Sequence, residues 1–457
     1  MTRLRLLFAP VLAGLATMAS PLSAADWPQW MGPKRDAVWT DTGILDAFPK
    51  EGPKVLWRTP IEGGYAGPAV ANGKVYVTDK LNKPGVKDPT NQFDTQTAVA
   101  SLERVFCLDE KTGKEIWKHE DECNYKVSYG VGPRCTPTVD EGHVYTLGAM
   151  GNLLCLDAEK GKVIWSKDLV KEYATKVPMW GFSGHPLVYK NLLICLVGGK
   201  GSVAVAFDKK TGKEVWKALD APEPGYCPPS LVEAGGVTQL IIWHAAAING
   251  LNPETGEVYW SHSIKPNSGM SIMAPCVSGD LLFAGGNGGA QCVLRLRKDK
   301  PAADLVWSQN AVAMGRKPET SRGIAPINMT PFAEGGVIYG VDQPGMLRAF
   351  KPETGERLWW TFMPVIGKDE DEEFKGAGAG TAFIVKNGDR YFLFAETGHL
   401  IIAKLTPKGY EEISRAKILE QTGSTFGRKL VWSYPAFANQ CVFARNDKEI
   451  VCYSLAK

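Results

Sequence analysis

Charged and aromatic side chains recur in short segments that are rich in glycine, proline and serine. These segments include "SYGVGPRC", "MWGFSGH", "RGIAPINM" and "STFGRKLVWSY". Arginine beside an aromatic plane can hold a flat, anionic ligand, because the guanidinium forms paired hydrogen bonds while the ring stacks. The same residues can equally line a water-filled channel. The candidate residues for binding a ligand or cofactor are Arg134, Trp180, His185, Arg322, Asn328, Lys375, Arg428 and Trp432, with Tyr65, Tyr129 and Tyr226 beside them.

Other residues of catalytic type lack the spacing that catalysis or metal binding needs. His185 precedes Pro186 and is either a hydrogen-bonded structural residue or a catalytic one. The acidic run 369–373 has enough oxygens for a calcium ion but no glycine at a binding-loop offset, which favours a solvated loop. "GFSGH" is one residue short of a nucleophile elbow, and "GAGAG" leads into a strand rather than a helix. The catalytic residues are therefore unknown, and no metal site is predicted.

Ten cysteines in 457 residues are too sparse for a disulfide scaffold. No C-x-x-C pair occurs, which argues against a structural zinc site. Cys123 and Cys135 flank one predicted loop and are the best candidates for a bridge. The sequence leaves open whether these two cysteines are bonded or free.

The first 25 residues have the organisation of a secretory signal peptide. Arg3 and Arg5 precede an apolar stretch, and small residues at 23–25 form a cleavage site before Asp26. A membrane anchor is the weaker interpretation, because the apolar stretch is short for a span and bounded by prolines. We expect an exported protein, periplasmic or extracellular, with residues 26–457 as one domain and no transmembrane segment.

The net charge excludes one class of partner. It is +3 for the whole chain and falls by two, to +1, when Arg3 and Arg5 are removed with the signal peptide. So small a charge on so long a chain gives no electrostatic case for binding nucleic acid. The remaining partners are a protein or a small molecule, and we expect a monomer.

An eleven-residue pattern repeats along the chain and predicts the elements that position these residues. It runs from a small residue through a turn with glycine to a tryptophan, as in "CLDEKTGKEIW" at 107–117. Between successive copies lie a segment built on proline and an alternating strand such as "KVYVTD". Four short strands at a period of 44 to 52 residues indicate a β-propeller blade.

Counting the proline-type strands predicts eight blades of four antiparallel strands in one all-β domain. The last unit stops before its tryptophan strand, and residues 54–61, "KVLWRTPI", have the character of the missing strand. We therefore expect the N-terminal strand to pair with the C-terminal blade and close the ring, which leaves no long unpaired edge. Two units depart from the repeat: Ile413 replaces the tryptophan in one, and the unit of Trp307 lacks the Thr-Gly turn. Residues 80–104 are expected to be an insertion in the first blade, a lid or a contact loop.

The repeated tryptophans are expected to be structural. Gly113 stands where the turn needs a positive φ, and Asp109 can accept backbone N–H bonds across the turn. The hairpin then sets Trp117 beside Cys107, where only a small residue leaves room for an indole. The tryptophans assigned to the seams between blades are Trp57, Trp117, Trp165, Trp216, Trp260, Trp307 and Trp359.

This eleven-residue pattern resembles the tryptophan-docking motif of quinoprotein dehydrogenases. The wider resemblance is to exported PQQ-like β-propeller repeat proteins, a group that includes the outer-membrane assembly factor BamB. The start of the mature chain, "DWPQWMGPKRDAVW", is similar to the opening of compact exported members of that group. The resemblance covers nearly all of the mature chain, and it implies a fold more specifically than an activity, because one propeller hosts many functions.

Two functions are compatible with this resemblance. Quinoprotein dehydrogenases hold pyrroloquinoline quinone (PQQ) near the ring axis with Ca²⁺, a catalytic aspartate and, in many members, a disulfide between adjacent cysteines. This sequence has no Cys-Cys pair and no local motif that matches the calcium ligands. We therefore expect an exported, non-catalytic scaffold that binds a protein partner or a small ligand on the channel face. The alternative is a PQQ- and Ca²⁺-dependent alcohol or sugar dehydrogenase.

Overall fold

The computed structural model describes residues 25–311, 322–369 and 376–457. Within these ranges the chain forms eight four-stranded antiparallel sheets and one two-stranded hairpin. The sheets are the blades of an eight-bladed β-propeller, which confirms the fold that the repeat predicts. We number the blades 1 to 8 in chain order and name the strands of each blade a to d, from the axis outward.

Blades 1 to 4 follow one another along the chain. Their strands a to d are Ala69–Ala71, Lys74–Asn82, Val99–Asp109 and Glu115–Tyr125 in blade 1; Thr138–Asp140, His143–Leu147, Asn152–Asp157 and Val163–Asp168 in blade 2; Leu187–Tyr189, Leu192–Leu196, Ala204–Asp208 and Glu214–Ala218 in blade 3; and Ser230–Ala234, Val237–Trp243, Ala247–Leu251 and Val258–Ser263 in blade 4.

Blades 5 to 8 complete the ring. Their strands are Cys276–Ser278, Leu281–Gly286, Ala290–Leu296 and Ala303–Gln309 in blade 5; Phe332–Glu334, Val337–Val341, Leu347–Phe350 and Arg357–Thr361 in blade 6; Ala382–Asn387, Arg390–Ala395, His399–Thr406 and Gly409–Lys417 in blade 7; and Ala436–Ala438, Cys441–Arg445, Glu449–Ser454 and Lys54–Pro60 in blade 8. The smaller elements are helices Leu169–Tyr173 and Met363–Ile366, 3₁₀ turns Asn267–Gly269 and Asn287–Gly289, and the hairpin of Gly423–Thr425 and Arg428–Leu430.

The two ends of the chain meet in blade 8. Strand Lys54–Pro60 pairs antiparallel with Glu449–Ser454, and Trp57 lies opposite Cys452. A β-bulge between Val55 and Trp57 shifts the register of this pair. The predicted closure by the N-terminal strand is thereby confirmed, and it joins the first and last strands of the ring by backbone hydrogen bonds.

The turn between strands c and d has the geometry that its residue types require. In blade 1 the side chain of Asp109 accepts the backbone N–H of Thr112 at 2.9 Å. Gly113 has a φ of +67°, where a side chain would be strained. A Cβ on Gly113 would also lie 2.5 Å from the indole of Trp57. The glycine is needed both for the turn and for contact with the neighbouring blade.

Each of six repeated indoles lies between its own blade and the next. Trp117 faces Cys107 across strands c and d of blade 1, and its Nε1 donates to the carbonyl of Ala158 in blade 2 at 3.0 Å. The other five donate in the same way to the c–d turn of the next blade. They are Trp57 to Glu110, Trp165 to Lys209, Trp216 to Pro253, Trp307 to Pro352 and Trp359 to Thr406.

Trp260 is the exception among the seven assigned tryptophans. Its Nε1 donates to the side chain of Gln239 in its own blade at 2.7 Å. The c–d turn that it faces belongs to blade 5, where the Thr-Gly sequence is absent and the turn is formed by residues 297–302. A buried indole N–H needs a hydrogen-bond acceptor, and the side chain of Gln239 supplies it in the absence of the Thr-Gly turn in blade 5.

An N-terminal strap, residues 25–41, crosses one end of the ring. Trp27 bridges to strand a of blade 1, and Arg35 donates to the carbonyl of Pro186 at the start of blade 3 at 2.9 Å. Val38 then pairs with strand a of blade 7. Blades 3 and 7 face each other in a ring of eight, so the strap spans the axis. It buries apolar side chains against the strands there and closes that end of the channel.

The structure refines two expectations about blade 1 and its cysteines. Strands b and c extend through both ends of the predicted 80–104 insertion, because regular pairing continues to Asn82 and Val99, so only residues 83–98 form a loop. Cys123 and Cys135 are free thiols that pack in different apolar clusters. Burial raises the pKa of Cys123 to about 12. Among the described residues, no helix has the length and apolar character of a membrane span.

Candidate functional site

A cavity of about 530 Å³ lies within the ring, where the segments that enter the a strands converge. Most of its wall is apolar, and nine Phe, Trp or Tyr residues contribute to it besides Trp30 and His185, which form the floor. The described residues that line it include Trp30, Tyr65, Phe93, Tyr129, Arg134, Thr136, Trp180, His185, Tyr226, Met270, Asn287, Asn328, Thr330, Phe383, Phe426, Trp432 and Tyr434. A cavity of this size and character is typical of small-molecule sites.

Trp30 of the strap and His185 form the floor of the cavity. Their rings are stacked, with centroids 4.8 Å apart and planes 11° from parallel. The guanidinium of Arg35 lies over the indole ring of Trp30, 5.4 Å from its centroid, and donates to the backbone carbonyl of His185 at 3.1 Å. The strap therefore both ends the channel and holds the histidine in place.

His185 is a neutral imidazole with a defined tautomer. The backbone N–H of Thr136 donates to its Nδ1 at 2.9 Å, so Nδ1 carries the lone pair and the proton is on Nε2. Burial and, to a smaller extent, the charge of Arg35 hold the pKa of His185 well below its ordinary value. The imidazole thus presents an N–H donor and does not carry a positive charge at neutral pH.

Arg134 is on the wall, but most of its hydrogen bonds are used within the protein. Its Nη2 donates to the carbonyls of Ser128 at 2.9 Å and Tyr129 at 2.6 Å, and its Nη1 donates to the carbonyl of Gly132. The guanidinium also lies over the ring of Tyr65, 5.3 Å from its centroid. These bonds fold residues 128–132 around Arg134, so the arginine holds this part of the cavity wall in its conformation.

The aromatic side of the wall is built from rings that hold one another by edge and tilted contacts. Tyr65 and Tyr129 both contact Trp432, with centroid separations of 6.5 and 6.0 Å. On the opposite side Trp180 meets Tyr226 at 5.7 Å, with planes 72° apart. Such geometries are favourable for aromatic pairs, so the faces lining the cavity are fixed before any ligand arrives.

The cavity has an apolar rim of two exposed aromatic side chains. Phe93 on the 83–98 loop is 47% exposed, and Phe426 on the 423–430 hairpin is 60% exposed. Phe426 also has a φ of +47°, an uncommon and strained value for a bulky residue. Exposed apolar groups around a cavity are typical of an interaction site.

The sequence analysis missed a set of buried carboxylates that lie in strand b or directly after it. Glu396 accepts from Arg428 Nε at 2.7 Å, from Trp432 Nε1 at 3.1 Å and from the backbone N–H of Thr381 at 3.0 Å. Burial raises the pKa of Glu396, although these donors oppose the shift. Asp79 and Asp342 are placed in the same way, each bonded to an arginine and to a backbone N–H that leads into strand a. The signal was an acid that ends an alternating strand, as in "KVYVTD" and "VIYGVD".

The structure brings most of the predicted binding residues together, but not all. Those on the cavity wall are Arg134, Trp180, His185, Asn328 and Trp432, together with Tyr65, Tyr129 and Tyr226. Arg322 lies instead beside Trp307 and Gly355 at a seam between blades, away from the wall. Arg428 lies behind Trp432, paired with Glu396. Lys375 and most of the 369–373 acidic run lie outside the described residues; Asp369 accepts from Thr361 at 2.5 Å.

The described wall does not fit PQQ with Ca²⁺. Calcium needs several oxygen ligands, among which carboxylates supply the charge. No aspartate or glutamate lies on the described part of the wall. The nearby Glu396 is held by Arg428, and the described ranges contain no cluster of histidine, cysteine, aspartate or glutamate suited to a metal. A catalytic aspartate for alcohol oxidation is likewise not among these wall residues.

Comparison with known proteins places the repeats in a family. Residues 101–361, more than half of the chain, match the family described as "Outer membrane protein assembly factor BamB". A curated relative, outer membrane protein assembly factor BamB of Yersinia pestis, is 25% identical over 205 residues, which are 44% of this chain and 48% of the relative. The chain therefore spans about half the length of the curated relative it matches.

Solved structures share the fold at low identity. BamB from Moraxella catarrhalis is 15% identical with a TM-score of 0.53, over 87% of this chain and 96% of that chain. A quinohemoprotein alcohol dehydrogenase, ADHIIG from Pseudomonas putida, is 13% identical with a TM-score of 0.61, over 94% and 80%. A europium-containing methanol dehydrogenase is 14% identical with a TM-score of 0.59, over 93% and 89%. These likenesses show the propeller and do not extend to an activity.

Proposed function

We propose, from the premise that this chain belongs to the family described as outer membrane protein assembly factor BamB, that it is a non-catalytic binding scaffold whose central cavity holds a small, largely apolar ligand. One observation carries the proposal. The cavity of about 530 Å³ is walled by interlocked aromatic rings and has no carboxylate on its described wall. Aromatic walls favour apolar contact, while the described wall offers no carboxylate to serve as a general base or metal ligand.

A neutral fluorescent dye, N-phenyl-1-naphthylamine, tests the ligand-binding function. We expect saturable binding with one site per chain. Trp180→Ala removes one wall of the cavity and should weaken binding roughly tenfold, since burying an aromatic ring stabilises by about 1.5–3 kcal/mol. Val215→Ala, an exposed position on strand d of the same blade, is the matched control and should leave the affinity unchanged. Absence of saturable binding, or equal effects of both variants, would contradict the proposal.

Reconstitution with PQQ and Ca²⁺ tests the non-catalytic part. The fold of quinoprotein dehydrogenases motivates the alternative, an alcohol or sugar dehydrogenase, but the described wall lacks its acids. We expect no rise in melting temperature and no dye reduction with a broad panel of alcohols and sugars. Turnover with any of them would show that the chain is an enzyme.

A protein partner is the second candidate, and the family favours it. The matching relative is an outer membrane protein assembly factor, and the apolar rim of Phe93 and Phe426 offers a surface for a partner. We expect Phe426→Asp to abolish co-purification with outer-membrane assembly proteins from the native host. Val215→Asp introduces the same charge at an exposed perimeter position and should not. Loss in both variants would mean that the rim has no special role.

Export is part of the proposed function. Residues 1–25 have the pattern of a signal peptide, and an assembly factor of the outer membrane acts outside the cytoplasm. We expect protein recovered from its host to begin at Asp26. N-terminal sequencing that returned Met1 from the cytoplasmic fraction would remove this part of the proposal.

A further inference from the structure

His185 has one ring hydrogen-bond donor without an acceptor among the described residues. Its Nδ1 accepts the backbone N–H of Thr136 at 2.9 Å, which leaves the proton on Nε2. No described residue accepts from Nε2, although the imidazole lies on the cavity wall. A polar group left without a partner in an apolar site is unfavourable unless a ligand or water completes it.

The donor is held in position before any ligand binds. Trp30 stacks on the imidazole at 4.8 Å, and Arg35 bonds the carbonyls of His185 and Pro186 at 3.1 and 2.9 Å. The ring therefore has contacts on one face, at Nδ1 and at its backbone. Because this donor is already restrained, it loses little conformational entropy when a ligand binds, and more of the hydrogen-bond energy contributes to affinity for ligands that carry an acceptor.

Several other polar groups on the wall are already engaged within the protein. The terminal nitrogens of Arg134 donate to three backbone carbonyls. The hydroxyl of Tyr129 bonds that of Thr425 at 2.6 Å, and the indole N–H of Trp432 donates to Glu396 at 3.1 Å. A ligand thus meets aromatic faces and a small number of polar atoms, of which His185 Nε2 is a fixed donor.

We propose that the cavity selects flat, uncharged aromatic molecules that carry a hydrogen-bond acceptor, such as a ketone carbonyl, and that Nε2–H of His185 donates to this acceptor. This inference rests on the proposed ligand-binding function and names its ligand class. The wall disfavours a charged molecule, because most of it is apolar and the terminal nitrogens of Arg134 already donate to backbone carbonyls, which leaves little to compensate the desolvation. The acceptor would take the hydrogen bond from Nε2–H of His185 at the floor, while the aromatic rings of the ligand pack against Trp180 and Trp432.

The ketone 9-fluorenone and its carbonyl-free parent fluorene are a matched pair for the test. Each is measured by displacement of N-phenyl-1-naphthylamine from the full chain. We expect 9-fluorenone to bind roughly tenfold more tightly than fluorene, the effect of one net hydrogen bond. Equal affinities in the unmodified protein would overturn the inference, whatever the variants do.

His185→Phe keeps a ring for the stack and removes the donor. It should abolish the preference for 9-fluorenone, so that the variant binds 9-fluorenone and fluorene with equal affinity. His143→Phe is the control, since His143 lies on strand b of blade 2 and is not on the cavity wall. A preference that survives His185→Phe would overturn the role of this residue. If the dye itself fails to bind, the proposed function fails; if only the preference is missing, that function stands without this inference.

Discussion

The ring of blades and the segments that close it are built by different rules. The ring uses the same contact repeatedly: an indole from one blade bonds a turn carbonyl of the next, as Trp117 does with Ala158 at 3.0 Å. The strap 25–41, the loop 83–98 and the hairpin 423–430 each occur once. They supply Trp30 to the floor of the cavity and exposed aromatic side chains to its rim.

This difference separates stability from recognition. In the ring, six of the seam indoles donate to turn carbonyls of the next blade, and five of the c–d turns have glycine where φ is positive. In the single-copy segments, Phe426 is exposed with a positive φ, and Trp30 stacks on His185, whose Nε2 has no acceptor among the described residues. Features that cost stability are retained where a ligand or partner can offset them. The comparison predicts that ring variants affect mainly folding, whereas strap and hairpin variants affect mainly binding.

The largest expected effect is in the ring. Trp117→Ala removes a buried indole from the seam of blades 1 and 2 and should lower the free energy of unfolding by about 3–5 kcal/mol. Denaturant unfolding measures it. Ile116→Ala, at the exposed neighbouring position, should change stability by less than about 0.5 kcal/mol. Dye affinity of the folded protein should stay within about twofold in both variants. A strong loss of dye affinity in folded Trp117→Ala would contradict the expectation that ring variants affect mainly folding.

Trp30→Ala tests the strap, where both properties should change. The indole is buried, and its loss should cost about 3 kcal/mol, the lower end of the range for large aromatic residues. Unlike Trp117→Ala, it opens the floor and frees the imidazole of His185, so dye affinity should fall at least about fivefold. Fluorescence titration of the folded variant provides the measurement, and an unchanged affinity would place the ligand away from the floor.

The pH dependence of stability compares His185, on which Trp30 of the strap stacks, with His244, which follows strand b of blade 4. Burial lowers the pKa of His244, next to blade 4, to about 4, and it holds that of His185 well below its ordinary value. Below about pH 6.5 the unfolded chain therefore binds protons that the folded chain does not. Stability should fall as the pH falls, by about 1.4 kcal/mol per pH unit for each histidine.

His185→Phe and His244→Phe should each make this pH dependence less steep. Denaturant unfolding at pH 7, 6 and 5 measures the slope. His244 accepts backbone N–H bonds from Ala246 and Ala247, so its replacement also lowers stability at neutral pH. An unchanged slope in either variant would mean that the corresponding imidazole is protonated in the folded protein.

The smallest expected effect is at the rim. Phe426→Gly relieves a positive φ but increases the freedom of the unfolded chain, so stability should rise by only about 0–1 kcal/mol. Dye affinity should decrease by about two- to fivefold, because one apolar side chain leaves the mouth. A clear loss of stability would show that Phe426 supports the hairpin rather than a ligand.

The sequence predicted the ring well because its contacts are local or repeated. Gly113 and Trp117 are in one hairpin, and the same spacing recurs in other blades, so a single chain contains several copies of the evidence. The missing strand at the C-terminus and the spare strand at 54–61 likewise predicted the closure that the structure has.

The site was harder to predict, because sequence patterns do not say which way a loop residue faces. Arg134 and Arg322 both lie in loops before an a strand, yet one is on the cavity wall and the other is beside Trp307 at a seam. Glu396 was missed because its partners Arg428 and Trp432 are more than 30 residues away in sequence. Burial also depends on neighbours that the local pattern does not identify.

By itself, the sequence determined a closed ring of eight four-stranded blades joined by tryptophans, since periodic spacing and small-residue positions are properties of the linear chain. Only the tertiary structure decided that Trp30 ends the channel and stacks on His185, about 150 residues later. It also decided which polar atoms are left unpaired inside. Those outcomes depend on packing between distant segments, and that packing exists only once the ring has closed.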